Sequence, residues 1–280
     1  MGAEQAWTSS AGRAWVKLQD QTDAQFEEIG NLAIDKLAPA RAEAIIDIGA
    51  GTGQTTLALA RQVGEEGRVV AIDISEAMVE AARARIERAQ VKNVEVVLGN
   101  AADLHYEAQF DAIYSRFGVM FFSDSAAAFA SLQKSLKPAG RIAFVCWQPL
   151  EVNDWARVPI EAVHSVVPDQ PLPELLRPGT PGPFYFSDPV FIQRLLKDAG
   201  FKRIQIEPHT TRLRFGAAAD VAQAVDYALQ IGPSARMLAE ADPAVTPRVR
   251  EALFSALSPY ASDSGVWMNA RTLVVSAFAT

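Results

Sequence analysis

Two carboxylates and three glycines are the residues of this chain whose types and spacing suggest chemistry. The run Ala44-Ile45-Ile46-Asp47-Ile48-Gly49-Ala50-Gly51-Thr52-Gly53 is an apolar stretch carrying an acid, followed by glycines at every second position. A helix-like stretch comes next, then a second apolar stretch, Val69-Val70-Ala71-Ile72, that ends on Asp73. A carboxylate closing the second strand of a βαβ unit can accept hydrogen bonds from both hydroxyls of a ribose. A glycine turn beside it lets backbone approach a ligand. The pattern points to a bound nucleoside group.

Glycine spacing separates the candidate nucleosides. Dinucleotide-binding turns carry G-x-G-x-x-G, with the third glycine inside the helix and the pyrophosphate at the helix N-terminus. Here the pattern is Asp-x-Gly-x-Gly-x-Gly, and Gln54 stands where the dinucleotide pattern wants its third glycine. This acidic, tightly alternating form resembles motif I of the class I S-adenosylmethionine (SAM) dependent methyltransferases. SAM has no pyrophosphate to anchor, and its amino and sulfonium groups are cations that a nearby carboxylate favours. Two alternatives stay open on the residues alone. One is a nicotinamide-dependent oxidoreductase; the other is a non-catalytic SAM-binding protein on the same fold.

Further matches extend the resemblance over about residues 41–147 and 188–280. Lys137-Pro138-Ala139-Gly140-Arg141 resembles the family's L-K-P-G-G turn, with Ala139 in place of the first glycine. Ser115-Arg116-Phe117-Gly118-Val119-Met120-Phe121-Phe122, with Cys146-Trp147 and Asn153-Asp154-Trp155, is similar to a small-molecule branch that includes the ubiquinone/menaquinone-biosynthesis methyltransferases. The resemblance implies that Gly49, Gly51 and Gly53 pass under the methionine part of SAM and that Asp47 orients its amino group. It implies that Asp73 takes the ribose diol, with Ile74 and Met78 against the adenine ring. Ala101 would meet the adenine edge through its backbone, and Ser115 would lie near the methionine amino group. Where many relatives have an aspartate for the adenine amino group, this chain has Asn100, whose oxygen still accepts that bond without charge. Asp103 substitutes if the register shifts. Arg116 reads either as a structural ion pair or as a contact to the SAM carboxylate.

The acceptor side is read from position. Phe117, Met120, Phe121 and Phe122 leave the carboxyl end of the fourth strand, where α/β ligands sit, although apolar runs also serve as core. Trp147, Asn153 and Trp155 follow the fifth strand and are candidates on the same logic. Trp15 and Gln19, on the N-terminal helix, either close over the cofactor or simply pack. Methyl transfer is an in-line displacement from a sulfonium, so positioning supplies much of the rate and a base serves only a reluctant acceptor proton. His164 is the first candidate base and His209 the second. The three histidines, His105 included, are not spaced as a metal site, so no metal is expected. Cys146 reads as a buried strand residue. The amino-methylating N/D-P-P-Y/F signature is absent after the fourth strand, which disfavours a base or glutamine nitrogen and leaves small-molecule amines open.

The elements that must position these residues follow from periodicity. Strands are expected near 44–48, 68–73, 94–98, 110–115, 141–147, 202–207 (resuming toward 215) and 266–278. Helices are expected between them, near 11–38, 52–63, 75–90, 124–136 and 188–200. This rhythm predicts an α/β fold with a doubly wound, seven-stranded, mostly parallel sheet, the last strand antiparallel. Residues 1–40 form an N-terminal helical segment and 41–149 the SAM-binding core. The proline-rich stretch 150–187 is expected to be an active-site cover, 188–216 core, 217–264 a helical cover and 265–280 the last strand. With 280 residues, 49% hydrophobic and 21% charged, the composition is that of an ordinary globular chain. A net charge of −7 without a basic cluster argues against nucleic acid as a partner. No apolar stretch is long enough for a membrane span, and Met1 to Ser10 lack a signal pattern, so a cytoplasmic setting is expected. The function expected is methyl transfer from SAM to a small, aromatic or lipophilic acceptor in an enclosed pocket. The oligomeric state is left open.

Overall fold

The computed structural model describes residues 7–8, 10–103, 106–176, 179–239 and 241–280. Seven strands form one sheet in the order β3-β2-β1-β4-β5-β8-β6. They are β1 (Ala44–Ile48), β2 (Arg68–Asp73), β3 (Val94–Leu98), β4 (Phe110–Arg116), β5 (Leu136–Trp147), β6 (Lys202–Arg214) and β8 (Gly265–Phe278). The two-residue β7 (Ala261–Ser262) pairs with the start of β8. The first five are parallel, while β8 inserts antiparallel between β5 and β6. All five residues of β1 are buried, as a central parallel strand covered on both faces requires. The chain leaves β1 on one side to build β2 and β3 and returns on the other to build β4. The crevice between the carboxyl ends of β1 and β4 is therefore the switch point where such sheets bind ligands.

The expected seven-stranded sheet is present, and several boundaries differ. The helix expected over 11–38 is two helices, α1 (Ser10–Lys17) and α2 (Gln19–Leu37). They break at Leu18 because α2 lies on β4 and β5 while α1 crosses to α4 (Glu76–Arg88). Gly12 makes that crossing possible, since a Cβ there would fall 2.3 Å from Ser75 Oγ. Ser75, which precedes α4, makes no side-chain cap to it; its hydroxyl faces α1 instead. The turn expected at 137–140 is an irregularity inside β5, with Ala139 at φ +62° and a register shift against β4. Strand β6 runs on to Arg214 without a break. The helices α3 (Gln54–Val63), α5 (Ser125–Ser135) and α7 (Pro189–Asp198) complete the layers. Asp188 caps α7 by accepting the Val190 N–H, and Pro189 takes the first helical position.

The two insertions pack against each other. The stretch 150–187 contains α6 (Asp154–Val166), and 217–264 contains α8 (Val221–Ala228), α9 (Gly232–Leu238) and α10 (Thr246–Leu257). Helices α9 and α10 pack on α6, which joins the two insertions. No helix among the described residues is long and apolar enough to cross a membrane.

Candidate active site

The turn after β1 and the end of β2 meet through Asp73. One carboxylate oxygen accepts the Gly51 N–H at 2.8 Å, and the other accepts the Ser75 N–H at 2.9 Å. Each oxygen keeps a lone pair for a further donor. Burial raises the Asp73 pKa, and the backbone N–H groups of Ser75, Gly51 and Ile74 oppose that rise. The glycines serve different ends. Gly49 sits at φ +66°, and a Cβ there would lie 2.7 Å from Gly118 Cα, so it lets the β1 and β4 turns touch. At Gly51, φ +57°, a Cβ would have only Met78 Sδ within 4 Å, so that position faces the ligand space. Gly53 was expected beneath a ligand but faces α4, where its Cβ would meet Ala82 at 3.3 Å.

A cavity of about 780 Å³ opens from this crevice, lined by Gly49, Gly51, Asp73, Ile74, Met78, Asn100, Ala101 and Arg116 at one end. Phe117, Met120, Phe121, Trp147 and Trp155 line it beyond. Thirteen expected site residues thus share one chamber. Asn100 accepts the Ala102 N–H at 3.0 Å, which turns the chain so that Ala101 faces inward. Asp103, the proposed substitute, is exposed and lies off the lining. Arg116 donates from Nη1 to Gln54 Oε1 at 2.6 Å. Among the described residues its side chain forms no ion pair with a carboxylate, so the structural ion-pair reading is not what is seen.

Four expectations for cofactor, acceptor and base need correcting. Asp47 is wholly buried behind the lining, where its Oδ2 accepts from Thr55 and Thr56 at 3.0 and 2.6 Å, tying β1 to the first turn of α3. Ser115 donates to the Ile48 carbonyl at 2.8 Å and accepts the Gly118 N–H at 3.1 Å, so it splices the two turns from behind. Asn153 is fully buried, and its amide bridges Gln148, Pro149, Arg271 and the Trp155 indole N–H. It positions Trp155 and lies off the wall. His164 is exposed on α6, away from the chamber, which removes it as a base. His209 is on β6 and also off the lining, and His105 lies outside the described residues.

Burial lifts the Asp47 pKa from 3.8 to about 6, against the lowering effect of the Thr56 and Thr55 hydroxyls and the Arg116 charge. The folded state therefore holds this proton more tightly than the unfolded chain does. Stability falls as pH rises from about 4 to about 6 and is flat above, a difference of about 3 kcal/mol for two pKa units. Urea midpoints of wild type and Asp47→Asn should converge toward pH 4 and separate up to pH 6. Parallel curves would contradict the buried charge.

The end of the chamber away from Asp73 is a chain of rings. Phe117 stacks on Trp147 with centroids 4.3 Å apart and 12° between planes, and Trp155 lies 4.6 Å beyond. Phe117 is held at φ +65°, an unusual conformation for a bulky residue that aims its ring inward. Trp15 stacks on Phe26 at 6.0 Å, while Trp7 meets both Trp15 and Phe121 edge-on. Trp15 thus covers the chamber, whereas Gln19 is occupied with Arg85 and lies off the lining. Trp7, Phe26, Phe215 and Tyr227 are wall residues that the motifs did not reveal. Their only signal is aromatic character, which periodicity assigns equally to core. Among the described residues no cluster of His, Cys, Asp or Glu fits a metal ion, and Cys146 is buried on β5.

The donor set fits the cofactor that the resemblance implies. A carboxylate with spare lone pairs, a turn with no side chain at Gly51, apolar groups on Ile74 and Met78 and a cationic Arg116 meet in one crevice. Comparison with known proteins agrees. Residues 45–140 match the family model described as "Methyltransferase domain". The chain is 36% identical over 98 residues to a demethylmenaquinone methyltransferase of Bacillus cereus, covering 35% of this chain and 41% of that protein. It is 30% identical over 188 residues to the nocamycin O-methyltransferase of Saccharothrix syringae, covering 64% of this chain and 66% of that protein. The matches span less than half of the first relative and about two thirds of the second. A SAM-dependent methyltransferase from Aquifex aeolicus shares the fold with a TM-score of 0.55 at 17% identity, over 94% of this chain and 97% of that one.

Proposed function

This chain belongs to the class I SAM-dependent methyltransferases and takes SAM as its cofactor, and on that premise we propose that it methylates a small, apolar acceptor enclosed in the aromatic chamber. The observation that carries this reading is continuity. The crevice holding Asp73 and Gly51 opens directly into a space walled by Phe117, Phe121, Trp147 and Trp155. The names of the two relatives, which refer to demethylmenaquinone and nocamycin, support a small-molecule acceptor. The net charge of −7 supports the same choice over nucleic acid.

When bound, SAM supplies an electrophilic methyl group on a sulfonium. Asp73 would receive the ribose hydroxyls, Ile74 and Met78 would flank the adenine, and Arg116 would meet the carboxylate of the amino-acid end. The stacked Phe117–Trp147 pair and Trp155 hold a flat acceptor in a fixed orientation and exclude water, which is how positioning lowers the barrier of a displacement. These walls contribute to the rate through alignment, and among the described residues no histidine lines the chamber.

Incubation with methyl-labelled SAM and a panel of phenols, hydroquinones and amines tests this. Label should move to a small apolar acceptor, and His164→Ala should transfer at the wild-type rate across pH. Label found only in macromolecules, or none transferred by a protein that binds S-adenosylhomocysteine, would contradict the small-acceptor reading.

A further inference from the structure

Arg116 is a half-buried cation on the chamber wall, and among the described residues its hydrogen-bond partners are neutral. Nη1 donates to Gln54 Oε1 at 2.6 Å and more weakly to the Phe26 carbonyl at 3.5 Å. Nε and Nη2 make no hydrogen bond among the described residues. Asp47, whose carboxylate feels the Arg116 charge, is bonded to Thr55 and Thr56 instead. The arginine stem has its own passage along α2. A Cβ on Gly30 would fall 3.1 Å from Arg116 Cδ, so this helix carries a glycine where the stem passes.

Gln54 fixes this cation from behind. It opens α3, is half-buried and lies off the chamber lining, so it acts on a ligand only through Arg116. Its amide is held at both ends, because Oε1 accepts from Arg116 while Nε2 donates to the Asp23 carbonyl at 3.3 Å. That pairing decides which amide atom faces the guanidinium. For stability alone, glutamate would serve better at this position. It would make a charge-assisted bond to Arg116, and in the first turn of α3 the helix dipole would favour its charge. The neutral amide instead holds the guanidinium in place and leaves its charge uncompensated.

We propose that Gln54 is a positioning residue that presents Arg116, held but uncompensated, to the carboxylate of the cofactor's amino-acid end, so that the site selects ligands carrying that carboxylate. The proposal deepens the function given above and rests on the placing of Arg116 at that carboxylate. A purely structural link between α2, α3 and β4 would be served as well by glutamate. A carboxylate-reading site would not, because glutamate would neutralise the guanidinium and repel the ligand's own charge.

Full-length protein is titrated with S-adenosylhomocysteine and with decarboxylated S-adenosylhomocysteine, which keeps the adenine, the ribose and the amino group. The readout is the ratio of the two affinities. In Arg116→Met the preference for the carboxylate should be lost, the ratio dropping about fivefold or more. Gln54→Glu should lower the ratio by about fivefold or more as well, while affinity for the decarboxylated ligand stays within about twofold. Gln54→Leu, which releases Arg116, should also lower it, and keeps the test open if the glutamate variant does not fold. A wild-type ratio in either folded Gln54 variant, beside a lowered one in Arg116→Met, makes Gln54 a structural link and overturns the proposal. An unchanged ratio in Arg116→Met removes Arg116 from the carboxylate, and the proposal falls with its premise.

Discussion

Asp73→Ala should raise the dissociation constant for S-adenosylhomocysteine by about 100-fold or more. The carboxylate is already oriented by the Gly51 and Ser75 N–H groups, at 2.8 and 2.9 Å, with lone pairs left over in the crevice. Two hydrogen bonds from ribose hydroxyls to a charged acceptor contribute about 1.5–3 kcal/mol each, and every 1.4 kcal/mol is about tenfold in affinity. The substitution also strands two backbone donors, so some stability is lost as well. Calorimetric titration at a temperature well below the variant's melting point separates the two effects. Near-wild-type affinity in a folded variant would remove Asp73 from the cofactor site.

Gly49→Ala should damage both the fold and the cofactor crevice. Alanine at φ +66° is disfavoured by about 1–2 kcal/mol, and its Cβ would press on Gly118 Cα at 2.7 Å, a backbone atom that cannot rotate away. The reverse contact is as tight, since a Cβ on Gly118 would fall 2.5 Å from the Ile48 carbonyl. Both turns of the crevice must separate, so stability should fall by about 2–4 kcal/mol, and cofactor affinity should fall with it. Gly51→Ala makes the contrast. Its Cβ would project into open space, so stability should fall by only about 1–2 kcal/mol while cofactor binding is obstructed. Melting temperatures with and without S-adenosylhomocysteine measure both quantities. Equal melting losses for the two variants would contradict the different roles assigned to these glycines.

These contrasts show what was legible in the residues and what was not. The sheet could be read because parallel strands covered on both faces leave unbroken apolar runs, as in Ile45-Ile46 and Val69-Val70. Asp73 could be read because a carboxylate at the end of such a run has few structural reasons to be there. Asp47 carried the same signature and proved to tie β1 to Thr55 and Thr56, because it pairs with Ala71, two residues short of Asp73, and so stays inside the sheet instead of reaching the crevice at its end. Gly53 followed the glycine alternation but serves the approach of α3 to Ala82. Asn153 and His164 were chosen by proximity in the chain, which says nothing about the face of α6 on which a side chain emerges.

The aromatic walls proposed for the acceptor were only half legible. Phe117, Phe121, Trp147 and Trp155 lie next to strand ends, where ligands collect, so position alone nominated them. Phe26 comes from a helix of the core, Phe215 from the end of β6 and Tyr227 from a distant insertion. They meet in the chamber only because α2 lies on the sheet and the second insertion folds back over it. Aromatic residues at helical spacing look the same whether they face a core or a cavity.

A crystal structure of the protein with S-adenosylhomocysteine tests the central claim most directly. Both ribose hydroxyls should lie within hydrogen-bond distance of the Asp73 carboxylate, with the sulfur facing the Phe117–Trp147 stack. A ligand bound elsewhere, or a ribose that leaves Asp73 to Gly51 and Ser75 alone, would contradict it.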